Sequence, residues 1–306
     1  MAAVKTGLGT EKSSRLNRTS VLLLKCLGFI FAIFFFCEFL VYYLVIIQCH
    51  WPNPKTETIP NPTTPLKAIF LSDTHLLGEI TGHWFDKLRR EWQMERAYQS
   101  AIWLLQPDIV FILGDIFDEG KWSNSKAWEN DVARFQAMFR HPPHTELLVV
   151  VGNHDIGFHY EMTVHKLNRF EKAFNLTSGK VVSRKGINFV LVNSVALEGD
   201  NCKICRAAED QILEVSRQLS CSRMKNHPDS VKKCRNVLPV PPSAPILLQA
   251  TITTEDFSLE KCFLPTENTV IRVYCVAAAL LCICAVIYLL PLDFSKSFYT
   301  IKQKPV

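Results

Sequence analysis

Residues 108–118 read DIVFILGDIFD, a short apolar run that ends on Gly114 and Asp115. A run of this length, closed by a glycine, is typical of a buried strand, and the glycine permits a sharp turn that presents the next side chain. Two other runs end in the same manner, since residues 67–73 read KAIFLSD and residues 146–155 read ELLVVVGNHD. The sequence therefore predicts three strands, each followed directly by acidic or imidazole side chains.

The stretches between these strands have the pattern of helices. Residues 88–105 carry apolar side chains at helical spacing, and residues 126–140 predict a second helix. Strands that alternate with helices predict an α/β domain with a mostly parallel central sheet. Further strands are predicted at residues 187–193 and 245–249. Between them, residues 197–243 form a polar, cysteine-bearing insertion that contains one predicted helix, at residues 207–219.

Three motifs follow the strands: DTH at residues 73–75, GDIFD at residues 114–118 and GNHD at residues 152–155. Ligands bind at the carboxyl ends of strands in open α/β sheets, so the three turns should meet in one crevice. Carboxylate, imidazole and amide ligands suit Mn, Fe or Zn. Taken singly, an acid at a strand end is often only a helix cap. Three such motifs in succession favour a metal site.

In this order the motifs DxH, GDxxD and GNHD resemble those of the calcineurin-like metallophosphoesterases. The paired apolar segments and the cysteine-bearing insertion are similar to those of the membrane-bound members that remodel GPI anchors. The resemblance implies an α/β metallophosphoesterase sandwich, truncated here, with a transmembrane helix on either side. It also implies removal of ethanolamine phosphate from the GPI-anchor glycan. GPI-anchored proteins would then be the substrates, and their transport from the endoplasmic reticulum to the Golgi would be promoted.

The resemblance further implies the role of each site residue. Two divalent ions, with manganese expected, would polarise the phosphate and activate water for hydrolysis. Asp73 and His75 would hold one ion, Asp115 would bridge both, and Asn153 would hold the second. His154 would be the catalytic histidine beside the phosphoryl group. The remaining acids of the motifs would orient these ligands through hydrogen bonds, namely Asp118 and Asp155.

Part of the family's ligand set has no counterpart in this sequence. The family supplies a later histidine and a Gly-His-x-His turn, whereas the last histidine here is His227 and no Gly-His-x-His occurs. A block is predicted to be missing between Gln249 and Ala250. The second metal site should therefore be incomplete, and an apolar sheet edge should be exposed. The alternative to a hydrolase is a catalytically impaired form that acts as a non-enzymatic membrane-bound binding protein.

Two apolar runs, residues 26–47 and 273–290, match the roughly 20 residues that cross a bilayer as a helix. A buried core helix is the alternative for either, and a cleaved signal peptide for the first. The resulting segments are a cytoplasmic tail 1–21, a transmembrane helix 22–47, a Pro-rich linker 48–66, the metallophosphoesterase domain 67–249, a juxtamembrane segment 250–270, a transmembrane helix 271–291 and a cytoplasmic tail 292–306. Glu38 lies within the first helix, and Arg272 is its candidate partner.

The flanks of the two runs predict their orientation. Both tails are basic, which places them in the cytoplasm and the domain in the lumen. The positive charge of the chain is thus concentrated beside the membrane, and it does not indicate nucleic-acid binding. Asn175 begins an Asn-x-Thr glycosylation sequon on the lumenal side. Lys302 and Lys304 resemble a dilysine retrieval signal that coat proteins bind, which predicts cycling between the endoplasmic reticulum and the Golgi.

The cysteines between the two apolar runs are six in number, which is compatible with disulfides in an oxidising compartment. Cys202 and Cys205 form a CxxC pair, for which structural disulfides are favoured. A redox pair and a zinc site are the alternatives. A zinc site usually has a second closely spaced pair, and a redox pair usually opens a helix that follows a strand.

Overall fold

The structure is a computed structural model and describes residues 18–52, 65–175, 177, 179–223 and 260–289. The predicted strand 245–249, the missing-block junction and both C-terminal lysines lie outside these residues. The chain divides into two compact units. One consists of Met1–Tyr42 with Leu264–Val306, and the other is Tyr43–Phe263.

A three-stranded parallel sheet forms the centre of the second unit, in the order β1-β2-β3. Its strands are β1 (Ala68–Leu71), β2 (Ile109–Ile112) and β3 (Glu146–Val149). They are the three strands that the apolar runs predict, each slightly shorter than its run. Among the described residues β1 pairs only with β2, and its Phe70 is half exposed.

Helices cover one face of the parallel sheet. They are α3 (Trp84–Leu105), α4 (Ser125–Met138) and α6 (Val164–Phe174), of which the sequence predicts the first two. Side chains alternate across a strand, so Val110 and Ile112 of β2 point to this face. Both are fully buried with Phe117 and Phe135 in the main hydrophobic core.

A β-hairpin covers the opposite face. Its strands are β4 (Lys180–Arg184) and β5 (Ile187–Leu191), which pair antiparallel. The ring of Phe111 on β2 lies 4.7 Å from that of Phe189 on β5. The two sheets therefore stack as a sandwich. The strand predicted at residues 187–193 is present as β5. It pairs with β4 because Lys185 and Gly186 both have positive φ and turn the chain back on itself.

Short helices and one long helix complete this unit. They are α5 (Asn153–Ile156), two single 3₁₀ turns (His159–Glu161 and Ser194–Ala196) and α7 (Lys203–Arg223). The helix predicted at residues 207–219 is thus longer at both ends. Disulfides join Cys49 to Cys262 and Cys202 to Cys205. Cys221 is also disulfide-bonded.

The first unit contains the predicted membrane helices. The first begins as α1 (Arg18–Phe35), passes through a π-helical turn (Phe36–Leu40) and continues as α2 (Val41–Ile46), whereas α8 covers Glu267–Leu289. Within them, Ser20–Ile46 and Glu267–Ile287 are long and apolar enough to cross a membrane. The Tyr274 hydroxyl donates a 2.8 Å hydrogen bond to the Glu38 carboxylate. Tyr274, two residues beyond the candidate Arg272, is thus a hydrogen-bond partner of Glu38.

Candidate metal centre

The loops after β1 and β2 run side by side at the carboxyl end of the sheet. The backbone N–H of His75 donates to the Asp115 carbonyl at 3.0 Å, and that of Leu76 donates to the Ile116 carbonyl at 2.8 Å. The parallel pairing of β1 and β2 thus continues past the strands into the polar motifs. This continuation brings the DTH and GDIFD motifs together, as the strand-end argument predicts.

Three residues of these loops have left-handed backbone conformations, which are unfavourable for residues with a Cβ. The φ angles are 57° at Asp73, 42° at His75 and 49° at Asp115. Gly114 precedes Asp115 with φ 99°. Strained backbone of this kind costs about 1–3 kcal/mol per residue and concentrates at functional sites. Here it turns the three side chains toward a common point.

Two carboxylates face one nitrogen of His75. Its Nε2 lies 3.7 Å from Asp73 Oδ1 and 4.0 Å from Asp115 Oδ2. The ligand atoms of these three residues all lie within 4.8 Å of one another. One divalent ion can sit between donors at such separations, and two carboxylates with an imidazole are the ligand set that Mn, Fe and Zn accept. The residues therefore fit the metal that the motifs predict.

Asp118 holds the other nitrogen of His75. Its Oδ1 lies 3.1 Å from His75 Nδ1, so that nitrogen carries the proton and Nε2 keeps its lone pair for a metal. His75, Asp118 and His154 also form a group that could hold an ion. The hydrogen bond from Nδ1 places Asp118 where it can orient the ring of His75.

His154, which belongs to the third motif, forms hydrogen bonds with both Asp115 and Asp118. Its backbone N–H donates to Asp115 Oδ1 at 2.8 Å, and its Nδ1 lies 2.9 Å from the Asp118 carbonyl oxygen. A carbonyl only accepts, so Nδ1 is the protonated nitrogen and Nε2 is the free one. The rings of His154 and His75 are 4.6 Å apart. Asn153, the predicted ligand of a second ion, precedes His154 as the first residue of α5.

The buried carboxylate of Asp155 links the second and third motifs through hydrogen bonds. It is fully buried and accepts hydrogen bonds from the backbone N–H groups of Ile116, Phe117 and Gly152, at 3.0, 3.0 and 2.8 Å. Burial raises the pKa of its carboxyl to about 7, against the pull of these three donors. Asp155 thus fixes the position of both turns through their backbone N–H groups.

Glu119 is a supporting residue that the sequence did not single out. This buried acid accepts hydrogen bonds from the backbone N–H groups of Ile80 and Thr81, at 2.9 and 2.5 Å, and so ties down the loop that follows the DTH motif. Burial opposes ionisation, but the hydrogen bonds from Thr81 and Ile80 keep the pKa of Glu119 below its usual value. The sequence did offer one signal for Glu119. It directly follows GDIFD, and no helix begins there for an acid to cap.

Exposed aromatic side chains lie close to the third motif. Trp122 is 57% exposed and Tyr160 is 83% exposed, and the ring of Tyr160 stacks 6.3 Å from that of Phe158. Lys121 lies between Trp122 and Phe158, with its ammonium 4.6 Å from the centre of each ring. Its backbone N–H donates to the His154 carbonyl. Flat apolar faces therefore adjoin the turn that carries His154.

Comparison with known proteins agrees with this site. A family model described as calcineurin-like phosphoesterase matches residues 66–240. A Xenopus laevis protein named Metallophosphoesterase 1 is 49% identical over 375 aligned positions, which cover 92% of this chain and 93% of the frog protein. The Gallus gallus protein of the same name is 59% identical over 243 positions, which cover 78% of this chain and 61% of the chicken protein. The chain thus spans about three-fifths of the chicken relative's length.

The frog alignment also bears on the missing ligands. Its 375 positions exceed the 306 residues of this chain, so the frog protein contains an internal block with no counterpart here. The family match itself covers all three motifs and more than half of the chain. The chain therefore belongs to the calcineurin-like phosphoesterase family, whose members are metal-dependent hydrolases of phosphoric esters.

Proposed function

We propose that the site is a phosphodiesterase centre that acts on ethanolamine phosphate attached to the GPI-anchor glycan. The observation that carries the hydrolase part is the convergence of Asp73, His75 and Asp115 on one point, with His75 held by Asp118. These residues would hold a divalent ion, expected to be manganese. When bound, such an ion polarises phosphoryl oxygens and lowers the pKa of water.

His154 is the residue with a direct role at the reacting phosphate. The Asp118 carbonyl accepts from Nδ1–H, so Nε2 is the nitrogen left to act on the phosphate. When both ring nitrogens are protonated, Nε2–H can donate a proton to the leaving alkoxide or stabilise the charge on the phosphoryl oxygens. Its backbone N–H meanwhile holds Asp115 Oδ1 in place. Asp115 and His154 therefore move as one unit, which keeps the carboxylate and the imidazole in fixed relation.

Two features support a membrane-linked glycan as the substrate. Membrane-crossing helices on both sides of the domain would keep it at a bilayer surface. The exposed rings of Trp122, Phe158 and Tyr160 offer faces on which sugar rings can pack. The domain would face the lumen, with Asn175 glycosylated. The C-terminal Lys302 and Lys304 would bind coat proteins and return the chain from the Golgi to the endoplasmic reticulum.

We also propose that this chain is catalytically impaired relative to the longer members. No histidine follows His227, so the later imidazole ligands of a second ion are missing. A second site held only by Asp115 and Asn153 should bind its ion weakly. The second candidate function, favoured by this shortage of ligands, is that of a membrane-bound protein that binds glycan substrates or cargo without turning them over.

Purified chain in detergent, supplied with manganese and bis-p-nitrophenyl phosphate, tests the hydrolase against the binder. We expect about one tightly bound ion per chain and slow turnover that Asp115→Asn abolishes. The matched control is Asp86→Asn, an exposed acid of α3, which should leave turnover unchanged. Turnover equal to that of a form with the missing block restored would contradict the impairment. Binding of no metal at all would contradict the hydrolase.

Topology and retrieval have their own tests. If the domain is lumenal and Asn175 is glycosylated, Asn175→Gln should remove one glycan and give a faster-migrating band. An unchanged band would contradict glycosylation at Asn175. Replacement of Lys302 and Lys304 by Ser should move the protein beyond the early Golgi. An unchanged distribution would contradict the retrieval signal.

A further inference from the structure

A second cluster of reactive side chains lies outside the metal centre, and the proposed hydrolase does not use it. It consists of His159, Asp200, Cys202 and Cys205, whose nitrogen, oxygen and sulfur atoms all lie within 4.8 Å of one another. The two cysteines form a disulfide. They occupy the start of α7, where the sequence alone did not predict a helix.

The two sulfurs have different environments. Cys202 is partly exposed immediately before α7, and its Sγ accepts a 3.1 Å hydrogen bond from the backbone N–H of Cys205. The amino end of a helix stabilises a thiolate in that position. Cys205 is fully buried. An incoming thiol can therefore reach Cys202, whereas Cys205 is shielded.

His159 and Asp200 are arranged behind the shielded sulfur. His159 Nδ1 lies 3.7 Å from Cys205 Sγ, and His159 Nε2 lies 2.8 Å from Asp200 Oδ2. The other oxygen of Asp200 accepts from the backbone N–H of Cys202 at 3.0 Å. The hydrogen bond that His159 donates to Asp200 raises the pKa of His159, so the ring is suited to carry a proton toward Cys205.

We propose that Cys202 and Cys205 are a reversible dithiol–disulfide pair that exchanges with small thiols, with His159 as its proton carrier and Asp200 as the residue that positions His159. In the reducing direction a thiolate of a glutathione-type thiol attacks Cys202 Sγ. The Cys202–Cys205 bond breaks, and Cys205 leaves with the electron pair and takes a proton from His159. The thiolate of a second small thiol then attacks the small-molecule sulfur of this mixed disulfide, and Cys202 leaves as a thiolate that takes a proton from solvent. The products are two protein thiols and one small-molecule disulfide.

The same four residues could instead hold zinc, but the geometry favours exchange. Asp200 Oδ2 lies at the His159 nitrogen that faces away from the sulfur, so Asp200 orients the ring and does not join the two sulfurs around an ion. Only two sulfurs and one nitrogen would then remain as ligands. Structural zinc sites have four.

The test uses the full chain in detergent, equilibrated in buffers of reduced and oxidised glutathione, with free thiols alkylated and identified by mass spectrometry. We expect Cys202 and Cys205 to open and close reversibly while the Cys49–Cys262 disulfide of the same molecules stays closed. That second disulfide is the internal control. Equal resistance of both disulfides, or irreversible opening, would overturn the proposal.

Variants separate the roles of the two sulfurs and of the histidine. Cys205→Ser should accumulate a mixed disulfide with glutathione at Cys202, whereas Cys202→Ser should not accumulate one at the buried Cys205. His159→Ala should slow reduction of the wild-type disulfide by about tenfold or more, and Asp200→Asn by less. Mixed disulfide on both variants, or an unchanged rate in His159→Ala, would contradict the assignment.

Tight binding of one zinc ion per reduced chain that blocks reoxidation would show a zinc site instead. None of these readouts depends on the hydrolase activity.

Discussion

His75 Nδ1 and Asp118 Oδ1 are 3.1 Å apart, and this hydrogen bond decides which nitrogen of His75 faces the two carboxylates of the metal centre. With Nδ1 protonated, Nε2 presents its lone pair toward Asp73 and Asp115. The acid that ends the GDIFD motif thus acts on the metal through the histidine of the preceding motif.

Asp118→Ala should therefore weaken manganese binding by about 10–100-fold, because His75 loses the partner that fixes its tautomer and orientation. Asp118→Asn should weaken it less, since the amide oxygen can still accept the hydrogen bond. Calorimetric titration with manganese measures both affinities, and Asp86→Ala is the control. Equal affinities in wild type and Asp118→Ala would show that Asp118 does not position His75.

Gly152 is required because a side chain at this position would collide with Asp115, and not because of its backbone conformation. Its φ is −116°, which any residue can adopt, but a Cβ there would lie 2.3 Å from both the backbone nitrogen and Oδ1 of Asp115. Gly152→Ala should displace Asp115 and abolish tight metal binding.

Gly199→Ala is the matched control. Gly199 has φ 72° but open space around it, so the substitution should cost only about 1 kcal/mol and leave metal affinity intact. Thermal unfolding and metal titration measure the two effects.

Asp108 lies at the end of the parallel sheet opposite the metal centre. It links the starts of β1 and β2 to the turn of the β4–β5 hairpin. Its carboxylate accepts from the backbone N–H of Lys67 and from Lys185 Nζ, both at 2.8 Å. Burial opposes ionisation, but the hydrogen bonds from Lys185 and Lys67 hold the pKa of Asp108 below its usual value. The unfolded-state pKa is then the higher one. The stabilisation is present above about pH 4 and is lost as the pH falls through the folded-state pKa.

We therefore expect the melting temperature of the wild-type chain to fall more steeply than that of Asp108→Asn as the pH drops from about 5 to about 3. Asp108→Asn should also be less stable than wild type at neutral pH. The exposed Asp210→Asn is the control and should follow the wild-type curve. Parallel curves for wild type and Asp108→Asn would contradict the assignment.

Glu38 and Tyr274 form a hydrogen bond between the two apolar helices of the first unit. Tyr274→Phe should destabilise the association of the helices by about 0.6–2 kcal/mol, because the Glu38 carboxylate loses the hydrogen bond that Tyr274 donates. Glu38→Gln should cost less, and the double variant should cost less than the sum of the two. Unfolding in detergent measures the cycle, with the exposed Cys282→Ala as control. Additive effects would show that the pair is not coupled.

The strands and motifs of the centre could be predicted because their signals are local. An apolar run followed by Gly114 and Asp115 specifies both a strand and the residue at its end. The role of Glu119 could not be predicted, since the backbone groups that it binds lie 38 and 39 residues away in sequence. The pairing of the strand at residues 187–193 could not be predicted for a related reason. The apolar pattern of residues 187–193 predicts a strand, but only the turn at Lys185 and Gly186 determines which strand it pairs with.

The start of α7 shows the same limit at a smaller scale. Polar residues around Cys202 give weak helical periodicity, so the predicted helix began four residues late, at residue 207. The cluster with His159 forms only because a loop that follows the GNHD motif folds back over this helix start. Spacing of two cysteines alone could not distinguish a structural disulfide from a reactive one.

The disulfide between Cys49 and Cys262 closes a ring of chain that contains every residue of the metal centre, and its two ends are 213 positions apart in sequence. Cys49 follows α2 by three residues, and Cys262 precedes α8 by five. A single proteolytic cut inside this ring would leave two pieces that still migrate together until a reductant is added. The domain thus stays covalently linked to both candidate membrane helices even when its own polypeptide is interrupted.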